Sequence, residues 1–203
     1  MVLRFNKIKK LHLVGIGGSG MCGIAEVLLS MDYPLSGSDI ADTPVVQRLR
    51  ELGAVIFIGH RAENLNSCDA VVMSSAISDD NPEIIAAMQM KLPVIRRAEM
   101  LGELMRMKFG IAVSGTHGKT TTTSMVGNIL SDAEYDPTII VGGILSKLGG
   151  SARFGKSDYL VAEADEYDRS FLTLIPTIAV ITNLEPEHME CYEDFDDLRN
   201  AFL

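Results

Sequence analysis

One short segment combines the residue types that bind phosphate and a divalent metal. An apolar run at residues 109–113 is followed by Gly115 and by the triplet Gly118-Lys119-Thr120, and a helix-compatible run begins at Ser124. Glycines let backbone N–H groups close around phosphate oxygens, a lysine places positive charge on the β- and γ-phosphates, and a threonine hydroxyl can ligate Mg²⁺. The helix adds its unpaired N–H groups and the positive end of its dipole. This order of strand, glycine turn and helix predicts a phosphate-binding P-loop.

The predicted nucleotide site is the turn together with the residues that lead into the helix, namely Gly115, Thr116, His117, Gly118, Lys119, Thr120 and Thr121. The eight-residue consensus has glycine where this chain has Val113, so a plain glycine turn before an ordinary helix remains an alternative. We expect Lys119 to face solvent from the loop. Its replacement should then weaken triphosphate binding and leave the fold intact.

A second apolar strand ends in a carboxylate. Residues 159–162 are followed by Glu163, and P-loop enzymes use an acid at such a strand end to hold Mg²⁺ directly or through water. Acidic residues are concentrated between residues 158 and 197, which disfavours phosphate binding unless cations neutralise them. His188 ends a later polar segment, where it can meet a second metal or a phosphate. An ordinary surface histidine is the alternative.

A second glycine turn lies near the start of the chain. Gly15-Ile16-Gly17-Gly18-Ser19-Gly20 fits G-x-G-x-x-G between a predicted strand and a predicted helix, and Asp39 ends the next strand. This pattern predicts a dinucleotide site with Asp39 on a ribose hydroxyl. The pattern requires only that the ligand has a diphosphate, at the helix N-terminus, and a nearby ribose. A UDP-sugar contains both groups, as NAD does. A structural glycine turn without a ligand is the third interpretation.

Strand-like and helix-like segments alternate along almost the whole chain. The predicted strands cover residues 10–16, 33–38, 54–59, 70–75, 93–96, 109–113, 137–141, 159–163 and 178–182, and the predicted helices cover 19–30, 43–52, 81–91, 98–107 and 124–130. This alternation predicts an α/β fold with parallel sheets and helices on both faces. Because the second series begins with its own P-loop, we predict two domains, residues 1–107 and 108–203.

Composition narrows the class of protein. The chain has 203 residues, of which 47% are hydrophobic and 22% charged, as in a globular protein. Its net charge of −9 disfavours general binding to nucleic acid or to anionic membranes. We see no signal peptide and no membrane-spanning run, and the three cysteines lack C-x-x-C spacing. We therefore expect a cytoplasmic protein with reduced cysteines.

Several short motifs occur together and in order, and through them the whole chain resembles the Mur ligase family. They are Gly15 to Met21, Ser36-Gly37-Ser38-Asp39, Ser74-Ser75-Ala76-Ile77, Asn81-Pro82-Glu83, Arg96 to Leu101, Gly115 to Thr121, Glu163-Ala164-Asp165-Glu166 and Thr182-Asn183 through His188. The resemblance implies a Rossmann-like parallel-sheet domain that binds a UDP-sugar, followed by part of a P-loop ATPase-like α/β domain.

The resemblance also implies a reaction, most similar to that of the family members that join L-alanine to UDP-N-acetylmuramate. The lactyl carboxylate attacks the γ-phosphate of ATP, and the amine then displaces phosphate from the acyl phosphate. Catalysis would rest on Lys119, Glu163 and His188, with Mg²⁺ held by Thr120, Glu163 and His188. The implied UDP-sugar contacts are Gly15, Gly17, Gly18, Gly20, Asp39, His60, Ser74 and Arg97. L-Alanine and UDP-N-acetylmuramate are the expected substrates, with no nucleic acid or membrane partner.

Three alternatives stay open. Tyr167 and Glu187 depart from the residues frequent in the alanine-adding members, so the related murein tripeptide ligase is one. An NAD-dependent oxidoreductase and a non-catalytic nucleotide-binding module are the others. Family members have a longer central domain and a third domain that closes over ATP. Since this chain ends in an apolar helical run, we expect an N-terminal piece of a longer protein that does not catalyse ligation by itself.

Overall fold

The chain folds into two compact units, residues 1–100 and 101–203, which are described separately. The computed structural model describes residues 8–145, 150–167, 169–187 and 189–202, with only the backbone at 143–145, 150 and 151. The division falls within one helix, and the predicted domain boundary after residue 107 stays a prediction. No helix in these described ranges is long and apolar enough to cross a membrane.

The first unit is built around a five-stranded sheet in which every pair of neighbouring strands is parallel. The strand order is β3-β2-β1-β4-β5. Its elements are β1 (Leu11–Val14), α1 (Ser19–Ser30), β2 (Leu35–Asp39), α2 (Pro44–Glu51), β3 (Val55–Ile58), a 3₁₀ helix (Ala62–Leu65), β4 (Ala70–Met73), α3 (Pro82–Gln89), β5 (Val94–Arg96) and α4 (Arg97–Arg106), which continues into the second unit. Connections leave β1 on one side and β4 on the other, so a crevice forms between their carboxyl ends.

Local sequence signals fix where the helices of this unit begin. The Thr43 side chain accepts a hydrogen bond from the backbone N–H of Val46 at 3.3 Å, and proline follows at the first helical position of α2. In α3, Asn81 caps the backbone N–H of Glu83 at 2.9 Å, again before a proline. Both arrangements satisfy N–H groups that a helix leaves unpaired. The cap at Asn81 therefore fixes Glu83 in the first turn of α3.

The second unit contains a mixed five-stranded sheet. Its strand order is β10-β6-β9-β7-β8, and β8 alone of its strands runs antiparallel, to β7. Its elements are β6 (Phe109–Ser114), α5 (Lys119–Asp132), β7 (Thr138–Leu145), β8 (Gly150–Arg153), β9 (Tyr159–Glu163), a 3₁₀ helix (Ser170–Thr173), β10 (Ile178–Ile181), a second 3₁₀ helix (Met189–Cys191) and α6 (Phe195–Ala201). The predicted α/β class and the Rossmann-like first sheet are confirmed.

Strand register in the second unit positions the chemistry. Val113 pairs with Glu163, and Ser114 pairs with Ile181. The loop that follows β6 therefore lies between the ends of β9 and β10. Because all three strands are parallel, their polar carboxyl-terminal residues meet at one edge of the sheet.

Candidate functional site

The predicted P-loop connects β6 to α5 through two glycines with positive φ. Gly115 has φ +120° and Gly118 has φ +81°, values that side-chain-bearing residues rarely adopt. Gly118 is the N-cap residue of α5, so the helix begins at Lys119 and directs its first N–H groups toward the loop. Thr121 is exposed on the first turn of this helix. The loop therefore has the local geometry of an anion site.

Lys119 is held inside this loop. Its Nζ donates to the carbonyls of Gly115 at 2.7 Å and Thr116 at 3.2 Å, and to both carboxylate oxygens of Glu166 at 3.0 Å. The side chain of Lys119 is 13% exposed and that of Glu166 3% exposed. The expectation that Lys119 faces solvent is wrong, because a buried carboxylate from the segment after β9 draws its ammonium inward.

Thr120 and Glu163 meet across the sheet edge. Thr120 Oγ1 lies 3.1 and 3.0 Å from the two carboxylate oxygens of Glu163. The backbone N–H of Gly142 donates to Glu163 at 2.9 Å and fixes the carboxylate orientation. A hydroxyl and a carboxylate are the hard oxygen donors that Mg²⁺ prefers, and they adjoin the phosphate loop, so these residues fit the metal.

The third predicted metal ligand, His188, lies outside the described residues. Among the residues that the structure does describe, no group of three or more histidine, cysteine, aspartate or glutamate side chains is arranged to hold a metal ion. Of the three predicted metal ligands, the structure therefore describes Thr120 and Glu163, and the role of His188 stays a prediction.

The residues that follow β10 form hydrogen bonds to the P-loop. Asn183 Oδ1 accepts from the backbone N–H of His117 at 2.9 Å, and Thr182 Oγ1 donates to the carbonyl of His117 at 2.7 Å. Thr116 accepts from the backbone N–H of Glu185 at 2.8 Å. His117 Nε2 also lies 3.6 Å from a carboxylate oxygen of Glu185. Sequence reasoning noted this segment as a motif but missed its bracing role, which only the strand order reveals.

In the first unit, a cleft of about 630 Å³ opens at the carboxyl ends of the strands. Six of the predicted substrate residues are among those that line it: Gly15, Gly17, Gly18, Asp39, His60 and Ser74. The other two, Gly20 and Arg97, are not among the lining residues, and Arg97 packs over Gly20 instead, its Cδ 3.0 Å from where a Cβ would stand. The glycine turn thus lies at the crevice expected for a parallel sheet of this order.

Asp39 supports the glycine turn directly. Its Oδ2 accepts a hydrogen bond from the backbone N–H of Gly17 at 2.8 Å, and its Oδ1 accepts one from Ala41 at 3.3 Å. A Cβ at Gly17 would lie 2.9 Å from Asp39 Oδ2, so glycine is required for this close approach. Asp39 therefore shapes the loop, and its contact with a ribose stays a prediction.

A buried polar network lies beneath the cleft and was not foreseen. Glu83 is fully buried, and its Oε2 accepts from Ser38 Oγ at 2.5 Å and lies 3.1 Å from His60 Nδ1. Asn64 Nδ2 donates to Glu83 Oε1 at 2.6 Å, and His12 Nε2 lies 3.5 Å from the same oxygen. Burial raises the pKa of Glu83, but the hydrogen bonds from Ser38 and Asn64 and the nearby His12 ring outweigh burial and lower that pKa to about 2.

Comparison with known proteins identifies the family of this chain. The model described as "Mur ligase family, catalytic domain" matches residues 10–109, and "Mur ligase middle domain" matches residues 113–203. The UDP-N-acetylmuramate–L-alanine ligase of Geotalea uraniireducens is 57% identical over 98% of this chain and 43% of its own length. The enzyme of the same name from Acidobacterium capsulatum is 56% identical with the same coverage. The chain thus spans about 43% of the length of these curated relatives.

Solved structures agree with the sequence matches. The UDP-N-acetylmuramate-alanine ligase of Thermotoga maritima has a TM-score of 0.84 and 37% identity, over 95% of this chain and 46% of that one. The UDP-N-acetylmuramate:L-alanyl-gamma-D-glutamyl-meso-diaminopimelate ligase of Neisseria meningitides has a TM-score of 0.83 and 30% identity, over 96% and 66%. Since two models of one family account for nearly all of its residues, the chain belongs to the Mur ligase family.

Proposed function

We propose that this protein takes part in the ATP-dependent ligation of L-alanine to UDP-N-acetylmuramate. The observation that carries the proposal is the contact between Thr120 and Glu163 beside a glycine loop that encloses Lys119. This combination of hard metal ligands and a phosphate-binding loop serves phosphoryl transfer rather than hydride transfer. The two relatives above, at 56–57% identity, carry the name of this ligase, which supports L-alanine as the acceptor.

The reaction divides into two steps that need no covalent enzyme intermediate. A lactyl carboxylate oxygen bonds to the γ-phosphorus of ATP, and ADP leaves with the electrons of the broken P–O bond. The amine nitrogen of L-alanine then bonds to the acyl carbon, phosphate leaves, and the nitrogen loses a proton. The product is an amide. The protein contributes mainly positioning and electrostatic stabilisation.

Each residue of the P-loop site has a part in the first step. Lys119 places its ammonium on the γ-phosphate, while Glu166 keeps that ammonium directed into the loop. The N–H groups of the loop and of the first turn of α5 donate to phosphate oxygens. Bound Mg²⁺, held by Thr120 and Glu163, would neutralise charge that develops on the transferred phosphoryl oxygens. Thr182 and Asn183 hold the loop in place.

The cleft of the first unit is proposed to hold the UDP-sugar. The glycine turn and the N-terminus of α1 receive the diphosphate, and Asp39, His60 and Ser74 surround the remaining volume. A cleft of about 630 Å³ suits a ligand of this size. The alternative ligand is NAD, which the G-x-G-x-x-G pattern taken alone would also fit.

Calorimetry with the 203-residue chain tests both sites. We expect binding of UDP-N-acetylmuramate and of ATP with Mg²⁺, and no binding of NADH. Binding of NADH at micromolar affinity, with none for the UDP-sugar, would contradict the proposal. The acceptor is tested with a protein of the full length of the curated relatives, of which this chain spans about 43%. The measurement is incorporation of labelled L-alanine into UDP-N-acetylmuramate, with the tripeptide L-alanyl-γ-D-glutamyl-meso-diaminopimelate as competitor. Transfer of the tripeptide in place of L-alanine would assign the activity named for the Neisseria neighbour.

A further inference from the structure

The buried network around Glu83 lies outside the proposed phosphoryl transfer, yet one of its members lines the substrate cleft. Glu83 and His12 are fully buried, whereas His60 borders the cleft with its side chain 13% exposed. A buried carboxylate is costly unless its oxygens are fully hydrogen-bonded. Glu83 meets that condition through Ser38, Asn64 and His60, so the network connects a buried negative charge to the cleft wall.

Hydrogen positions in the network follow from counting donors. Ser38 has one hydroxyl hydrogen, and it donates that hydrogen to Glu83 Oε2 at 2.5 Å. Ser38 Oγ also lies 2.9 Å from His60 Nδ1, and there it must accept. An unprotonated Nδ1 would face a carboxylate oxygen at 3.1 Å with no hydrogen between them. The proton of His60 therefore lies on Nδ1, shared between Ser38 and Glu83.

The other ring nitrogen is then the one available to a ligand. In a neutral imidazole with hydrogen on Nδ1, Nε2 carries a lone pair and accepts hydrogen bonds. Such a nitrogen matches an N–H or O–H donor and repels a phosphate oxygen. The carboxylates of Asp39 and Asp80 also line the cleft. His60 consequently suits the uncharged, donor-bearing part of a nucleotide sugar, while the glycine turn takes the diphosphate.

We propose that Glu83 is a positioning residue that keeps the proton of His60 on Nδ1, so that Nε2 accepts a hydrogen bond from an N–H or O–H donor of the ligand in the cleft. The inference rests on the proposed function, because the ligand is taken to be a UDP-sugar. The donor is either the imide N–H of uracil or a hydroxyl of the sugar. Glu83 itself does not touch the ligand.

Nitrogen-15 NMR of the unmodified chain tests the proton position directly. At pH 8 we expect the His60 ring to show a protonated Nδ1 and an unprotonated Nε2. Assignment of the ring signals uses His60→Gln, in which they disappear. A protonated Nε2 at this pH would overturn the proposal. This measurement needs no substrate, so it stands even where the proposed function fails.

Calorimetry with UDP-N-acetylmuramate tests the consequence for binding. We expect Glu83→Gln to weaken the affinity for UDP-N-acetylmuramate about 10-fold, because one well-placed hydrogen bond to the ligand is lost. In the His60→Ala background, Glu83→Gln should cause no further loss, because Glu83 acts through His60. The matched control is Glu26→Gln, which removes another buried carboxylate of the same unit, one paired with Arg48 and not among the cleft-lining residues. It should leave affinity unchanged.

The remaining outcomes distinguish a failure of the positioning role of Glu83 from a failure of the proposed function. Equal losses for Glu83→Gln in the presence and absence of His60 would overturn the positioning role. UDP as a second probe locates the donor, because the effect of Glu83→Gln persists with UDP when the donor is in uridine and vanishes when it is in the sugar. If the unmodified chain binds no UDP-N-acetylmuramate, the proposed function fails, and the NMR result alone decides the state of His60.

Discussion

Replacing Gly115 by alanine should damage the second unit far more than the same change at Gly118. Both glycines have positive φ, +120° and +81° respectively, so alanine is strained at either position. A Cβ at Gly115 would lie 2.3 Å from Thr182 Oγ1 and 2.7 Å from the carbonyl of Asn183. A Cβ at Gly118 meets nothing within 4 Å. The pair therefore separates steric crowding from backbone strain.

The magnitudes follow from these contacts. Backbone strain alone costs about 1–2 kcal/mol for alanine in the left-handed region, which is the expected loss for Gly118→Ala. Gly115→Ala adds an overpacking cost of about 1–3 kcal/mol, because one of the crowding atoms belongs to the backbone and cannot rotate away. A difference of about 2 kcal/mol lowers the melting temperature of a domain near 100 residues by roughly 8–16 °C.

The assay is urea denaturation of both variants, followed by calorimetric titration with ATP and Mg²⁺. We expect Gly115→Ala to be the less stable protein and to lose ATP binding, since relief of the contact with Thr182 moves the loop. Equal free energies of unfolding for the two variants would refute the reasoning, because they would mean that Thr182 and Asn183 do not crowd a side chain at position 115.

Three further changes test the charged groups. Lys119→Met should weaken ATP binding roughly 10- to 150-fold, measured by calorimetry. It should also lower the free energy of unfolding, measured in urea, by about 3–5 kcal/mol, because Glu166 is left buried and unpaired. Adding Glu166→Gln to this variant should restore the stability but not the ATP affinity. Glu163→Gln should abolish the gain in ATP affinity on adding Mg²⁺, and an unchanged gain would remove Glu163 from the metal site. The pKa of Glu83 is lowered from 4.5 to about 2, so its roughly 3 kcal/mol of stabilisation is present above pH 4.5 and lost as pH falls toward 2. Urea denaturation should show a loss of about 2 kcal/mol between pH 6 and pH 3 that Glu83→Gln does not show.

The features that the sequence predicted well are local ones. Strand, glycine turn and helix at the P-loop involve neighbours along the chain, and their residue types carry the signal. The choice of Glu163 followed from one general rule, that P-loop enzymes place an acid at the end of a second strand to hold Mg²⁺ directly or through water. That rule needs only the recognition of two strands, not their order. The structure brings Thr120 and Glu163 into contact, and their role in binding Mg²⁺ stays a prediction.

What the sequence did not predict depends on contacts that residue types alone do not reveal. The helix α5 begins at Lys119 rather than at Ser124, although Thr120 to Thr123 are poor helix formers. Hydroxyls of Thr123 and Ser124 donate to the carbonyls of Lys119 and Thr120, one turn earlier, at 2.8 and 2.5 Å. β8 was missed because Gly150-Ser151-Ala152-Arg153 has no strand-like pattern of its own and is a strand only through pairing with β7.

The strand order itself explains why the P-loop tolerates Val113 at a position where the consensus has glycine. β6 lies between β9 and β10, and the segments that follow these two strands bond to the loop. Glu166 holds Lys119 from one side, and Asn183 holds the backbone of His117 from the other. Val113 is fully buried inside β6, before the loop begins, so its side chain packs in the sheet and leaves the phosphate-binding turn to Gly115 and Gly118. Gly118 keeps the position of the second consensus glycine, and Gly115 takes the place of the first; both have positive φ.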